Sequence, residues 1–401
     1  MLYKKAAGQN IEKEIVAFET FEVVDKEIYA QVMGKNILVK FIPGETKMEI
    51  IDFHNEYRFK KCVLQKDQWY CMDNLGEALA VYNLKSHKSN TYCLNARAKD
   101  DNNIALVGSF EEYIAIVSQY RGIIYTFDTV NKRMNSDDAL DRKIEERYGK
   151  QAEYFIRGCV IDNYIYFIVS ISEDYYICRY DLQKRALEEF PDNVSFSEVR
   201  TFYYFEHKLY ILQNDFTISI WNIQDNTIDM LIMSDLKRLI EKVKLKYKYA
   251  FSAMAVTERN IWLLPAGEND DIYVYNILEK NAYRYDNYPA DFFYYSKKGW
   301  SKYADIKERS GFIYVAARLS NYYLVINKET GIETWEPMCT ADFRKYYDHV
   351  ITQRYIKDGE IQIMNECPNI PLKAFLVYQQ KEMTNIGEKD RVGEKIWEAL
   401  K

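Results

Sequence analysis

The residues of this chain that could do chemistry are scattered, and their spacing narrows what they could do. There are four histidines, His54, His87, His207 and His349, and no two share a metal-binding spacing. Asp348-His349, with Arg344 nearby, has the residue types of an acid–base pair, but a lone loop histidine is far more often structural or solvated. No Gly-x-Ser-x-Gly elbow, Walker-type glycine loop or dinucleotide fingerprint occurs. Carboxylates recur instead in short polar breaks between apolar runs: Asp73, Glu173-Asp174, Asp215 and Glu268-Asn269-Asp270-Asp271. Arg121 and Arg318 hold equivalent positions. Two carboxylates facing across a mouth would suit glycoside hydrolysis or a bound cation. Tight turns select the same residues for backbone reasons alone, because Asp and Asn side chains bond their own main chain. The pattern assigns no catalytic set and calls for no metal or cofactor.

The most distinctive segment is Asp286–Lys302, DNYPADFFYYSKKGWSK. It gathers Tyr288, Phe292, Phe293, Tyr294, Tyr295 and Trp300 beside Lys297 and Lys298. Aromatic rings with adjacent cations are typical of interface hot spots, and exposed rings also stack on sugars. The competing reading is a loop that folds over its own aromatics. Arg344-Lys345-Tyr346-Tyr347 has a similar composition.

These segments interrupt a repeated scaffold. Asp162–Pro191 reads as three short strands and two tight turns, rich in Tyr, Ile and Val and bounded by polar breaks. The same unit returns along the chain. Its second strand often carries a large apolar residue and then an aromatic one: Ile28-Tyr29, Trp69-Tyr70, Ile165-Tyr166, Leu209-Tyr210, Ile261-Trp262 and Ile313-Tyr314. Its third strand ends in an aromatic followed by Asp or Asn: Tyr82-Asn83, Phe127-Asp128, Tyr180-Asp181, Trp221-Asn222 and Tyr275-Asn276. Copies begin near Val16, Tyr57, Asn102, Tyr154, Val199, Tyr249, Tyr303 and Val350. The period is roughly 40–50 residues, that of propeller blades. One further strand opens each copy, giving four per unit. A single four-stranded sheet cannot bury both faces, whereas sheets packed around an axis can. The count is about eight units, or seven if the first or last is partial, with Leu2–Ala6 available as a closing strand.

The long connections run from a fourth strand to the next blade and include 136–154, 234–249, 286–303 and 337–349. In a propeller they emerge on the same face as the turns between second and third strands, so that face is expected to be the working surface. Two connections are expected to hold helices. Leu236, Leu239, Ile240 and Val243 form a one-sided apolar stripe within Ser234–Lys246, and Asp138–Tyr148 ends at Gly149. A helical tail is expected over 381–401, after a propeller spanning 1–380.

Bulk properties set the outer limits. Lys+Arg 54 against Asp+Glu 60 gives a net charge of −6, which argues neither for nucleic acid nor for an acidic ligand, and no nucleic-acid partner is expected. The seven cysteines are expected as buried, reduced thiols, with Cys71–Cys93 as the pair most open to a disulfide. The opening residues lack the apolar core of a signal peptide, and no apolar run approaches membrane-spanning length. A cytoplasmic protein without membrane insertion is expected.

With these residues assembled, the chain resembles the β-propeller group that includes kelch-repeat and WD-repeat proteins. The resemblance is architectural. The Gly-Gly pair that kelch repeats carry after the second strand is replaced by Val32-Met33, Gln213-Asn214 and Ala316-Ala317, and the WD marks are absent. It implies an all-β propeller of four-stranded blades, with loops displayed for binding. The function expected is a non-enzymatic scaffold for a protein partner, bound through the insertion-bearing face. The alternative is a carbohydrate-binding or carbohydrate-active propeller using the axial mouth. The candidate binding residues are Arg121, Glu173, Asp174, Asp215, Asp270, Phe292, Tyr295, Trp300, Arg318, Arg344, Tyr346 and His349.

Overall fold

The computed structural model describes residues 18–337 apart from 26, 33–36, 43–47, 53–58, 74–77, 94–103, 120, 150–153, 172–173, 190–198, 214, 244–250, 266–271, 291, 293–302 and 318–321. The described chain is a seven-bladed β-propeller. Each blade is a four-stranded antiparallel sheet whose strands are paired in sequence order. The first strands are Phe18–Val24, Phe59–Gln65, Ile104–Phe110, Tyr154–Ile161, Val199–Phe205, Phe251–Val256 and Tyr303–Arg309, and they open blades 1 to 7. They neighbour one another around the axis, including the last against the first. The eighth sequence unit near Val350, the closing strand Leu2–Ala6 and the tail 381–401 lie outside the described residues.

The second strands explain the double-sided apolar pattern. Gln68–Asp73, Tyr113–Ser118, Lys208–Gln213 and Asn260–Pro265 are each buried at five consecutive positions, because both faces meet a neighbouring blade. The repeated aromatics fill the seams. Tyr29 of blade 1 meets Trp69 of blade 2 with ring centroids 5.7 Å apart. Tyr166 of blade 4 meets Trp221 of blade 5 edge-on at 5.7 Å. At one contact between inner strands a side chain has no room. A Cβ on Gly108 of blade 3 would lie 2.4 Å from Val160 Cγ2 of blade 4.

In six blades an Asp or Asn at the end of the third strand, following an aromatic in five of them and Ile326 in blade 7, organises the turn to the fourth strand. The side-chain oxygens of Asn83, Asp128, Asp181 and Asn327 each accept from the backbone N–H groups two and three residues on, at 2.7–3.0 Å. Asn222 and Asn276 each accept one such bond. These turns end in the left-handed region, at His87, Lys132, Arg185, Asn226, Lys280 and Gly331. Four of those six, His87, Lys132, Arg185 and Lys280, are neither Gly nor Asn and carry side chains that disfavour this conformation, so the side-chain bonds offset a local cost. Each turn is also tied to the other hairpin turn of its blade. Leu84, Thr129, Leu182, Ile223, Ile277 and Lys328 donate their N–H to Asp67, Glu112, Asn163, His207, Arg259 and Gly311.

Asp181 is the most buried of these anchors, 1% exposed. Burial raises its pKa, but the Lys184 and Gln183 N–H groups and the Lys184 ammonium outweigh it and hold the carboxyl below the usual range. Its contribution is therefore present above the unfolded carboxylate pKa and is lost as pH falls through the folded one. Asp181→Ala is expected to cost about 1–2 kcal/mol by urea denaturation at neutral pH. Asp181→Asn should cost less, since Asn holds the same turn in four other blades.

Candidate functional site

The axial mouth and the face around it are built from the turns between second and third strands and from the blade-to-blade connections. Among the described residues, two helices stand on this face. Helix α1, Ala139–Tyr148, follows the fourth strand of blade 3, and helix α2, Ser234–Val243, follows that of blade 5. Both fall within the segments expected to be helical, Asp138–Tyr148 and Ser234–Lys246. Leu140 and Ile144 of α1 are buried against Ala115, Val117, Ile156 and Phe167 of blades 3 and 4. Leu236 and Ile240 of α2 are buried against Phe251, Tyr273 and Tyr275 of blade 6.

Polar contacts fix α1 further. Asp137 Oδ1 accepts from the Ala139 N–H at 2.8 Å, while its Oδ2 accepts from the Tyr180 hydroxyl at 2.6 Å. The Tyr154 hydroxyl donates to Asp141. Gly122, in the turn that also holds Arg121, has φ +58, and a Cβ there would lie 2.9 Å from the Asp141 backbone nitrogen. The turn thus packs main chain against the first turn of the helix. The outward side of α1 carries Arg142, Lys143 and Glu146, which with Ala139 and Leu187 line a groove of about 340 Å³.

Four of the twelve residues singled out from the sequence are described. Arg121, Asp174 and Asp215 lie on this face in blades 3, 4 and 5, and all three are exposed. No hydrogen bond or ion pair among the described residues joins them. Asp215 Oδ1 accepts from the Thr217 N–H at 3.0 Å, so this carboxylate shapes its own turn. Phe292 is 8% exposed, with its ring centroid 4.8 Å from Trp335 and 4.9 Å from Tyr288. Tyr285 and Tyr288 join them, and the Trp335 Nε1–H points to the Tyr285 hydroxyl and the Asn287 carbonyl, both at 3.0 Å. Phe292 therefore belongs to the packing of the seam between blades 6 and 7, not to an exposed hot spot, because Trp335 on the outer strand of blade 7 gives the ring an apolar surface to cover. Glu173, Asp270, Tyr295, Trp300, Arg318, Arg344, Tyr346 and His349 lie outside the described residues.

A second constellation, not singled out from the sequence, sits on the innermost strands where blade 7 meets blade 1. The Thr20 hydroxyl donates to Asp305 Oδ2 at 2.6 Å. Lys307 Nζ lies 3.3 Å from Asp305 Oδ2 and 3.1 Å from Glu22 Oε1. Glu22 also accepts from the Leu64 N–H of blade 2, and Lys61 acts on Asp305 through its charge. The side chains of Glu22, Lys307 and Asp305 are 17–32% exposed, so water reaches them in part. The only local signal was an i, i+2 spacing of polar residues, Thr20 and Glu22 in one first strand and Asp305 and Lys307 in the other. At the opposite end of the axis, the Tyr203 hydroxyl of blade 5 donates to Glu308 of blade 7 at 3.2 Å, spanning blade 6. Lys328 pairs with Glu308 and lies 4.7 Å from the Phe205 ring centroid.

The two carboxylates of the closing seam titrate in opposite senses. Burial raises the Glu22 carboxyl above its ordinary value despite Lys307. Burial also acts to raise Asp305, but Lys307, Lys61 and the Thr20 hydroxyl outweigh it and hold this group low. For Lys307, burial opposes the charge, and Asp305 and Glu22 more than restore it. Asp305 thus adds stability that is present above the unfolded carboxylate pKa and fades as pH falls through its lowered one. Glu22 does the reverse: its ionised form costs stability once pH rises above the ordinary glutamate value.

No protein-family model matches the chain, and no curated protein does. Solved structures share its fold. YCF48 from Cyanidioschyzon merolae aligns over 77% of this chain and 95% of its own, with 14% identity and a TM-score of 0.53. A structure of YCF48 bound to D1 peptide aligns over 80% of this chain and 94% of its own, with 13% identity and a TM-score of 0.52. Virginiamycin B lyase from Staphylococcus aureus, with quinupristin, aligns over 77% of this chain and 94% of its own, with 11% identity and a TM-score of 0.53. Against PorZ of Porphyromonas gingivalis the chain spans only 33% of that protein's length (71% of its own), with 13% identity and a TM-score of 0.44. At such identities the likeness concerns the fold alone.

Two substitutions test this geometry. Asp305→Asn is expected to cost about 2 kcal/mol at neutral pH and to flatten the loss of stability on the acid side of about pH 4. Glu22→Gln should cost less at neutral pH, because it removes a charge that burial disfavours. Urea titrations at neutral and acid pH measure both. Gly122→Ala should cost about 1–3 kcal/mol, combining left-handed strain with the clash at Asp141. Faster amide exchange confined to α1 would locate that loss at the helix contact.

Proposed function

We propose that this propeller is a non-enzymatic scaffold that binds a protein partner through the face carrying α1 and α2. The observation that carries the reading is the mounting of α1. Its apolar side and first turn are held rigidly by blades 3 and 4, while Arg142, Lys143 and Glu146 face outward beside the groove at Leu187. A rigid frame presenting charged, rotamer-rich side chains next to a shallow groove suits an extended or helical segment of another protein, which then finds one surface already in order. The exposed Lys237 and Arg238 of α2 extend the same face. The YCF48 complex with D1 peptide lends support by showing a propeller of this architecture in contact with a peptide. The exposed Arg121, Asp174 and Asp215 belong to this proposed surface, as does a cytoplasmic setting.

Affinity capture with three proteins tests the reading: the wild type, the double variant Arg142→Glu with Lys237→Glu, and the opposite-face variant Lys132→Glu. A partner retained by the wild type and the opposite-face variant, and weakened at least tenfold by the double variant, is the expected result. A partner lost only with Lys132→Glu, or retained equally by all three, would place binding elsewhere.

A further inference from the structure

Two thiols in blade 2 stand opposite one another. Cys62 lies in the first strand, Phe59–Gln65, and Cys71 in the second, Gln68–Asp73; they are direct partners in the antiparallel register. The strands are joined by the two-residue turn Lys66-Asp67, so Gln65 and Gln68 form the first hydrogen-bonded pair. Alternation from there makes Cys62 and Cys71 a non-hydrogen-bonded pair, the kind in which side chains approach most closely. Such Cα atoms stand about 4.5 Å apart, within the roughly 4.4–6.8 Å that a disulfide spans. The two thiols are within hydrogen-bonding reach of each other, and both are buried, 3% and 0% exposed. Neither is engaged in a disulfide. Cys93, which the sequence left as the residue most open to pairing with Cys71, opposes Ala78 on the outer strand and is exposed.

We propose that Cys62 and Cys71 form a redox-modifiable dithiol that closes to a cross-strand disulfide when the protein meets a peroxide. In the first step one thiol sulfur, as thiolate, attacks the peroxide O–O bond. It becomes a sulfenic acid, and one water leaves. In the second step the other thiol attacks that sulfur, the S–S bond forms, and the hydroxyl departs as a second water. Each peroxide is reduced by two electrons, and the pair of thiols is oxidised by two. Burial sets the timing. It pushes the Cys71 thiol well up, with Cys62 reinforcing the shift, so the closed hairpin reacts slowly and the rate follows its local opening. The modification reaches beyond blade 2. The Cys62 thiol points to Gln31 Oε1 of blade 1 at 3.9 Å, and oxidation withdraws that donor from the seam.

The test uses the folded full-length protein treated with hydrogen peroxide, then unfolded in an alkylating reagent and mapped by mass spectrometry. The expected product is a linked peptide pair joining Cys62 to Cys71, lighter by two hydrogens, unalkylated and reversed by dithiothreitol. Sub-denaturing urea should speed its formation. Cys71→Ala should abolish the link and leave Cys62 as a sulfenic acid that dimedone traps. Recovery of both thiols alkylated under conditions that oxidise the exposed Cys93 would overturn the proposal, as would a linkage of either residue to Cys93. If Cys71→Ala fails to fold, the mapping of the wild type still decides.

Discussion

Closure of the ring is the constraint on which the rest of this structure depends. Every blade buries both faces, so the first and last blades must meet as well as any interior pair. Here each is a complete four-stranded sheet from one continuous stretch of chain, 18–52 and 303–337, and the two meet through side chains. Phe41 packs edge-on against Tyr323 at 6.0 Å. On the inner strands Thr20, Glu22, Asp305 and Lys307 form a connected set of hydrogen bonds and ion pairs. Such a set is directional where an apolar seam is not. It fixes the register of blade 7 on blade 1, at the cost of burying Glu22 in a place that disfavours its charge.

Within the closed ring each blade solves a smaller problem. A four-stranded sheet twisted around an axis needs tight, reproducible turns on the face away from the insertions. The Asx turn after the third strand and its tie to the neighbouring hairpin turn supply them in six blades. That face is consequently committed to structure. The other face has unequal connections, two of which fold into helices docked on the seams. The division of labour is physical: regular turns hold the blades, and irregular connections are left to differ.

The aromatic content follows the same division. Much of it is consumed in seams, as with Trp69, Trp221 and Trp262, each at most 1% exposed. The cluster of Tyr285, Tyr288, Phe292 and Trp335 shows that an aromatic segment between blades can serve the seam it crosses. A chain rich in tyrosine is therefore not by that fact rich in binding surface.

The repeat, the four strands per blade and both helices were legible in the sequence, because each rests on local physics. An aromatic followed by Asn or Asp marks an Asx turn within three residues, the apolar stripe of 234–243 marks a helix within one or two turns, and Gly149 marks the end of the helix over 139–148. The number of blades was not legible. It depends on how closely inner strands converge, as Gly108 allows against Val160, and that angle is a property of packed pairs of sheets. Nor was the polar set of the closing seam, since Thr20 and Asp305 are 285 residues apart and become neighbours only once the ring is complete. The aromatic segment lay between these cases: its composition announced a cluster, but whether Phe292 faced solvent or Trp335 was decided by the neighbouring blade. Local hydrogen bonding and periodicity let the sequence alone determine the units, and the contacts between units, which join residues far apart in the chain, were settled only by the tertiary structure.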